Sequence, residues 1–219
     1  MTGAAAPVAT LWSSTRTSGT VAHLAVAVSG LPVEVRFLSL RGGEHKRPEY
    51  LAINPKGEVP ALALADGPVV TEIPAIIGWL DDTAPEAGLL PRAQPDRALA
   101  QSWVAWCAYR QAQDMGAAFR PAFVLPGGDE AATAAVRAAA LARMRAALAY
   151  ADAALADGRD LLLATDRPTA ADLYLALLAR FGAGLGLDAG DTPNLGRLVA
   201  RVMAVPAVLR ALARETAAG

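Results

Sequence analysis

The residue pattern of this chain changes character once, in a segment rich in Pro, Gly and Ala at residues 83–95. Before it, short apolar runs with β-branched residues alternate with stretches of helical spacing, whereas every periodic stretch after it is helical. Such a change marks a boundary between folding units, and 219 residues suffice for two small domains. We therefore predict a first domain at residues 1–83, a linker at 84–94 and an all-helical domain at 95–219.

The first domain is predicted to follow the order β-α-β-α-β-β-α. Gly30 and Pro32 end its first helix, and Asp66-Gly67 between two short apolar runs is a strong hairpin signal. Alternating strands and helices imply a parallel strand pair, to which the Asp-Gly hairpin adds an antiparallel edge. The predicted strands cover residues 8–12, 33–40, 61–65 and 69–71, and the predicted helices cover residues 20–29, 48–53 and 72–82.

The second domain is predicted to contain helices only. Pro121, Pro126 and Gly158 interrupt the helical pattern, and Asp129 is a suitable N-cap for the longest helix. The predicted helices cover residues 96–118, 129–157, 169–181, 194–202 and 207–216.

The composition excludes several classes of protein. A formal net charge of -1 provides no basic stripe for nucleic acid. The single cysteine, Cys107, excludes an internal disulfide, and His23 and His45 lack metal-ligand spacing, so we expect no metal. Residues 1–10 lack the regions of a signal peptide, and no apolar run reaches the ~18 residues that span a bilayer. We expect a cytoplasmic protein that binds neither nucleic acid nor membrane.

The motif that narrows the family is Asn54-Pro55-Lys56-Gly57-Glu58-Val59-Pro60-Ala61-Leu62, followed by Asp66-Gly67 and Thr71-Glu72. Together with Thr169-Ala170-Ala171-Asp172 and Pro193-Asn194-Leu195-Gly196-Arg197, it resembles the glutathione transferase superfamily, and its bacterial beta-like and theta-like members in particular. The resemblance covers nearly the whole chain. It implies an α+β/α fold in which a thioredoxin-like βαβαββα domain precedes an all-helical domain. It also implies a homodimer that uses glutathione as co-substrate.

The resemblance further implies where glutathione binds. The Val59-Pro60 bond would be cis and would expose the Val59 backbone at a strand edge, where a tripeptide can add as a strand. Glu72 would open the third helix, whose N–H groups bind the γ-glutamyl carboxylate. His45 or Lys46 would meet the glycyl carboxylate. Without the resemblance, Val59-Pro60 is a rigid turn, Glu72 a carboxylate near a helix dipole and His45 part of a solvated basic loop.

The loop after the first strand carries the residues that would handle the thiol. Free cysteine has a pKa near ~8.5, so a thiolate at neutral pH requires stabilisation. A hydroxyl at a helix N-terminus supplies it, and the candidates are Ser14, Thr15 and Ser18, with added positive charge from Arg16. Ser18 stands where beta-like members have a reactive cysteine, so that cysteine chemistry is absent. The alternative is an ordinary Ser/Thr-rich loop before a helix.

One departure from the family concerns glutathione affinity. Ile73 stands where the family usually has serine or another small residue that grips the γ-glutamyl group, and Pro74 after it has no N–H. We expect the bulk of Ile73 to crowd the site. Two functions therefore stay open, together with the use of a different low-molecular-weight thiol. One is an enzyme that activates the glutathione thiolate for attack on a small apolar electrophile, or for isomerisation. The other is a binding or interaction protein of the same fold that has lost the reaction.

In the family, the first long helix of the second domain and the helix after it line an apolar pocket for the electrophile. On that basis, Met115, Phe119 and Arg110 are the predicted pocket residues. Trp103 and Trp106 on the same helix are predicted to be core or dimer contacts instead.

Thr169 and Asp172 have the spacing of a capping box, in which the cap and the third helical residue satisfy each other's backbone groups. We predict that Asp172 is buried and structural, with no catalytic role.

Overall fold

The computed structural model describes residues 6–187 and 189–218. The first five residues of the segment that lacks signal-peptide features lie outside the described residues. Packing divides the chain into two units, one formed by Met1–Leu90 with Val205–Gly219 and the other by Pro91–Ala204. Within the described residues, no helix combines the length and apolar character needed to cross a membrane.

The order of the elements confirms the predicted β-α-β-α-β-β-α arrangement and the helical remainder. In chain order they are β1 (Ala9–Ser13), α1 (Gly19–Ser29), β2 (Val33–Phe37), α2 (Pro48–Leu51), β3 (Ala61–Leu64), β4 (Val69–Thr71), α3 (Ile73–Thr83), α4 (Asp96–Trp106), α5 (Ala112–Phe119), α6 (Pro121–Val124), α7 (Glu130–Ala153), α8 (Ala170–Gly184), α9 (Pro193–Met203) and α10 (Pro206–Ala218).

The first unit is built on a four-stranded sheet with the order β2-β1-β3-β4. Strand β1 pairs in parallel with β2, and β3 pairs antiparallel with β4 across the Asp66-Gly67 hairpin. The predicted parallel pair and antiparallel edge are therefore confirmed. The sheet also contains an antiparallel pairing between β1 and β3, which local patterns do not specify.

Helices α1, α3 and α10 pack within the first unit. Their inward faces bury aliphatic side chains, among them Leu24 of α1, Ile77 of α3 and Val208 of α10. Helix α1 ends at Ser29, and its C-cap residue Gly30 has a φ of 69°, the left-handed conformation that glycine adopts most readily. The pattern at residues 207–216 indicated a helix, and the structure shows that this last helix belongs with the first unit.

The second unit consists of α4 to α9. The helix predicted at residues 96–118 contains a π-helical segment, Cys107–Gln111, which separates α4 from α5 and buries both of its end residues. A π turn inserts one extra residue into a helical turn, so it leaves little trace in a 3.6-residue period. The longest helix begins one residue after Asp129, whose side chain accepts from the Ala132 N–H as predicted, and it ends at Ala153.

The capping box at the start of α8 is confirmed. Asp172 is fully buried, and its carboxylate accepts from the Thr169 N–H and hydroxyl and from the Leu162 N–H. Burial raises the pKa of the Asp172 carboxyl, and these hydrogen bonds oppose the rise. The residue therefore joins the segment before α8 to the start of that helix.

Candidate functional site

Three segments that carry predicted site residues meet at one edge of the sheet. Trp12 near the end of β1 is opposite Ala61 at the start of β3, and Ala61 is opposite Thr71 at the end of β4. The loop that follows β1, the Val59-Pro60 turn and Glu72 therefore leave the sheet at the same edge. The antiparallel β1–β3 pairing produces this arrangement, which we call the edge site.

The turn that enters β3 is fixed by side chains of the motif itself. The Tyr50 hydroxyl and the Asn54 amide both donate to the Glu58 carbonyl. Gly57 has a φ of +61°, and a methyl group added there would lie 2.9 Å from the His45 carbonyl oxygen. Only glycine fits both the positive φ and the short distance to His45. Glycine here therefore lets the turn pack closely against the 3-10 helix that carries His45.

The Val59-Pro60 peptide bond is cis, as the family resemblance implied. Strand β3 begins at Ala61, after this bond. Among the described residues, none forms a hydrogen bond with the Val59 N–H or C=O. The Val59 backbone is therefore free to pair with an extended peptide.

Glu72 links β4 to α3 in a conformation that is uncommon for a residue with a side chain. Its φ is 70° and its ψ is 125°. The Lys56 ammonium donates to Glu72 Oε1 at 2.7 Å and to Thr71 Oγ1 at 3.0 Å, and the contact with Glu72 raises the pKa of Lys56. The motif lysine therefore holds the Glu72 carboxylate beside the start of α3. Sequence reasoning assigned no role to this lysine, although the motif contained it.

The start of α3 offers backbone N–H groups to an anion. Helix geometry leaves the first N–H groups without intrahelical acceptors, and here those are Ile73 and Ala75, since Pro74 has none. The Ile73 side chain is only 7% exposed, so it packs against protein. The crowding of the site by its bulk stays a prediction.

The loop between β1 and α1 contains the three candidate hydroxyls. Ser14 is buried, whereas Thr15 and Ser18 are half-buried. Ser18 is the N-cap residue of α1, but its side chain makes no capping hydrogen bond. The neighbouring Thr17 hydroxyl is already engaged, since it donates to the Ser14 carbonyl and accepts from the Gly19 N–H. Ser18 thus has a hydroxyl at a helix N-terminus that is not committed to its own helix.

The same loop approaches the Val59-Pro60 turn. A methyl group added at Gly19 would lie 3.6 Å from Pro60 Cδ and 2.7 Å from the Ser13 hydroxyl oxygen. Ser13 is fully buried, and its hydroxyl has no hydrogen-bond partner among the described residues. Sequence reasoning assigned no role to Ser13.

Backbone strain is concentrated at the edge site. Among the described residues, the only non-glycine residues with positive φ are Arg16, in the hydroxyl loop, and Glu72. Each such conformation costs about 1–3 kcal/mol and persists where the surroundings enforce it, which is often at a functional site. Both outliers lie in segments that leave the sheet at the edge site.

A buried polar cluster supports the hydroxyl loop from behind. Glu215 on α10 accepts from the Arg16 N–H and the Thr20 hydroxyl, both at 2.6 Å. Its other oxygen lies 3.6 Å from His23 Nδ1, an ion-pair distance and too long for a hydrogen bond. No local pattern marked Glu215, because its partners are nearly the whole chain away.

The predicted pocket residues belong to the second unit. Arg110 is exposed, Met115 is 7% exposed and Phe119 is 49% exposed. The rings of Phe119 and Phe181 pack edge to face, with their centroids 6.2 Å apart. Met115 therefore offers little surface to a ligand, whereas Phe119 is about half exposed. Their role in a pocket stays a prediction.

Comparison with known proteins agrees with this geometry. Residues 19–83 match the family model described as glutathione S-transferase, N-terminal domain. Residues 115–206 match the model described as glutathione S-transferase, C-terminal domain. The two matches follow the order of a thioredoxin-like unit and a helical unit, so fold and edge site define a protein of glutathione-transferase architecture.

Individual relatives extend the match over most of the chain. Glutathione S-transferase GstA of Escherichia coli O157:H7 is 32% identical over 167 residues, which cover 76% of this chain and 78% of the relative. The maleylacetoacetate isomerase of Pseudomonas aeruginosa is 41% identical over 76 residues, but the match spans only 36% of that relative and 34% of this chain. A sphingomonad glutathione S-transferase structure, complexed with glutathione, is 27% identical with a TM-score of 0.73, over 94% of this chain and 98% of that chain. The chain belongs to the glutathione transferase family.

Proposed function

We propose that this protein binds glutathione at the edge site and ionises its thiol for attack on a small apolar electrophile, or for glutathione-dependent isomerisation. The observation that carries the proposal is the meeting of three features at one sheet edge. These are the unpaired Val59 backbone, the exposed start of α3 at Glu72, and the hydroxyl loop.

Glutathione would lie along the Val59 backbone as an added strand. The N–H groups at the start of α3 would bind its γ-glutamyl carboxylate, and Glu72 would accept from its amine. His45 would bind the glycyl carboxylate, and its Nδ1 has no hydrogen-bond partner among the described residues.

Thiol ionisation would rely on a hydroxyl that donates to sulfur. Ser18 is the best placed, since its hydroxyl is half-exposed, sits at the N-terminus of α1 and does not cap that helix. Thr15 is the next candidate, and Ser14 the last because it is buried. Donation to the thiolate, together with the helix dipole, lowers the thiol pKa toward neutrality.

The thiolate would then attack an electrophilic carbon and form a C–S bond. In conjugation, the leaving group departs with its bonding electrons. In isomerisation, the adduct rotates about a former double bond and expels the thiolate again, so glutathione is regenerated. The match to a maleylacetoacetate isomerase in part of the chain supports the second outcome. Phe119, Met115 and Arg110 are the proposed pocket residues, and we propose a homodimer.

The test is calorimetric titration of glutathione into the purified protein and its variants. We expect Glu72→Ala to abolish measurable binding, and Ser18→Ala to bind glutathione while the bound thiol no longer ionises at neutral pH. Thiolate formation is followed by its ultraviolet absorbance. Thr15→Ala and Ser14→Ala, in the same assay, identify the hydroxyl that donates.

Glu34→Ala is the matched control for Glu72→Ala. Glu34 is also an exposed, ion-paired carboxylate of the first unit, paired with Arg36 on β2, so its loss should leave binding unchanged. A folded wild-type protein that binds no glutathione would refute the proposal and favour the interaction-protein function or another thiol.

A further inference from the structure

The interior of the first unit contains an ionisable cluster that thiol binding does not explain. Thr20 and His23 of α1 and Glu215 of α10 are exposed by only 1%, 3% and 5%. Glu215 Oε1 receives two short hydrogen bonds, from the Thr20 hydroxyl and the Arg16 N–H. A buried carboxylate is costly unless it is well paired, so this placement requires an explanation beyond packing.

The electrostatics favour an ionised Glu215. Burial by itself raises the pKa of Glu215, but the contacts with His23, Thr20 and the Arg16 N–H outweigh it and leave the pKa below its ordinary value of 4.5. An ionised acceptor forms stronger hydrogen bonds than a neutral one. The bond to Arg16 is thus a charge-assisted contact to the backbone.

Arg16 is also where the backbone of the hydroxyl loop is strained. Its φ is 54°, in the left-handed region, and it lies midway between Ser14 and Ser18. An arginine persists in that conformation only when other contacts enforce it. The Glu215 carboxylate is such a contact, because it holds the Arg16 N–H while Thr20 fixes the same oxygen to the first turn of α1.

We propose that Glu215 is a positioning residue that acts from the last helix of the chain. It holds the loop at residues 14–18 in the conformation that presents its hydroxyls to the thiol. The inference rests on the proposed function and adds to it a requirement for α10. Among the described residues, Glu215 forms hydrogen bonds with Arg16 and Thr20 and none with Val59 or Glu72, so it governs thiol ionisation more than glutathione affinity.

Arg214 provides a matched control on the same helix. Its guanidinium donates to the Val35 carbonyl at 2.9 Å, so it ties α10 to β2, and among the described residues it forms no hydrogen bond with the loop. If α10 had only a structural role, the loss of either side chain would affect the loop to the same extent. If Glu215 positions the loop, only the loss of Glu215 should change the loop.

The experiment compares Glu215→Ala and Glu215→Gln with Arg214→Ala, all as full-length protein. The first readout is hydrogen exchange of the Arg16 amide without glutathione. We expect exchange at least about tenfold faster in Glu215→Ala, a smaller increase in Glu215→Gln, which keeps one acceptor oxygen, and no change in Arg214→Ala. Should Glu215→Ala fail to fold, Thr20→Val, which removes one donor at similar volume, replaces it.

The second readout is bound glutathione. We expect Glu215→Ala to change the Kd less than about threefold while the pKa of the bound thiol rises and kcat falls, with partial recovery in Glu215→Gln. Equal effects of Glu215→Ala and Arg214→Ala on thiol ionisation would overturn the inference. Unchanged hydrogen exchange of the Arg16 amide in Glu215→Ala would also overturn it. If the wild type binds no glutathione, the proposed function fails with the thiol part of the inference, while Arg16 exchange still decides whether Glu215 anchors the loop.

Discussion

Replacing Asp172 with alanine removes a fully buried acceptor that three donors share. The Leu162 N–H and the Thr169 N–H donate to it at 2.8 Å, and the Thr169 hydroxyl at 2.7 Å. Leu162 and Thr169 are 2% and 1% exposed, so water cannot readily replace the lost acceptor. A buried donor left without a partner costs about 1–3 kcal/mol.

Two unpartnered backbone donors would thus cost roughly 2–6 kcal/mol. Removing the buried carboxylate offsets part of this, because burial raises the pKa of Asp172 and so disfavours its charged form. We expect a net loss of about 3 kcal/mol in the free energy of unfolding. For a chain of this size, that corresponds to a Tm lower by roughly 6–12 °C.

The assay is urea and thermal unfolding followed by circular dichroism, with Asp129→Ala as the control. Asp129 also caps a helix, but it is exposed, and its side chain accepts one hydrogen bond among the described residues, from the Ala132 N–H at 2.7 Å. Its loss should cost about 0.5–1 kcal/mol. The reasoning from burial would be refuted if Asp172→Ala lost no more stability than Asp129→Ala, provided that the free energy of unfolding falls with urea at the same slope in both variants.

Three further predictions concern the first unit. Gly57→Ala should destabilise the protein by about 1–2 kcal/mol more than Gly30→Ala in urea unfolding. Both glycines have positive φ, but of the two only Gly57 has a close backbone neighbour, the His45 carbonyl. Equal losses of stability in the two variants would contradict the close approach of Gly57 to His45. Ile73→Ser should lower the free energy of unfolding by about 2–4 kcal/mol in the same assay, because a buried aliphatic side chain is lost. Glutathione titration of the same variant should show tighter binding. An unchanged free energy of unfolding would place Ile73 outside the core. Because the pKa of Glu215 is held below 4.5, the stability that it adds is present above that pH and is lost as the pH falls through its folded-state pKa. The stability difference between wild type and Glu215→Gln should therefore shrink as the pH falls below about 4.5, and a pH-independent difference would be inconsistent with an ionised Glu215.

Much of the fold could be predicted because its signals are local. Asp66-Gly67 indicated the β3–β4 hairpin, Gly30 ended α1, and Thr169 with Asp172 indicated the capping box. Each depends on residues only a few positions apart, whose backbone preferences do not require the rest of the chain.

The candidate site was predicted in part. The resemblance supplied Val59 and Glu72, and the structure places both at the edge where the hydroxyl loop also leaves the sheet. The crowding expected from Ile73 stays a prediction, and the structure adds that Ile73 is buried. Lys56 was visible in the motif, but its contact with Glu72 joins residues 16 positions apart, across β3 and β4.

Local residue pattern therefore established the order of the elements, the switch to an all-helical half and the motif turn before β3. The fold alone decided that α10 packs with the first unit, that β1 pairs with β3 and that Glu215 reaches Arg16. A helical period states which face of α10 is apolar, but not which neighbour covers it. The contact between Arg16 and Glu215 spans 199 positions, and only the packed interior of the first unit brings the two residues together.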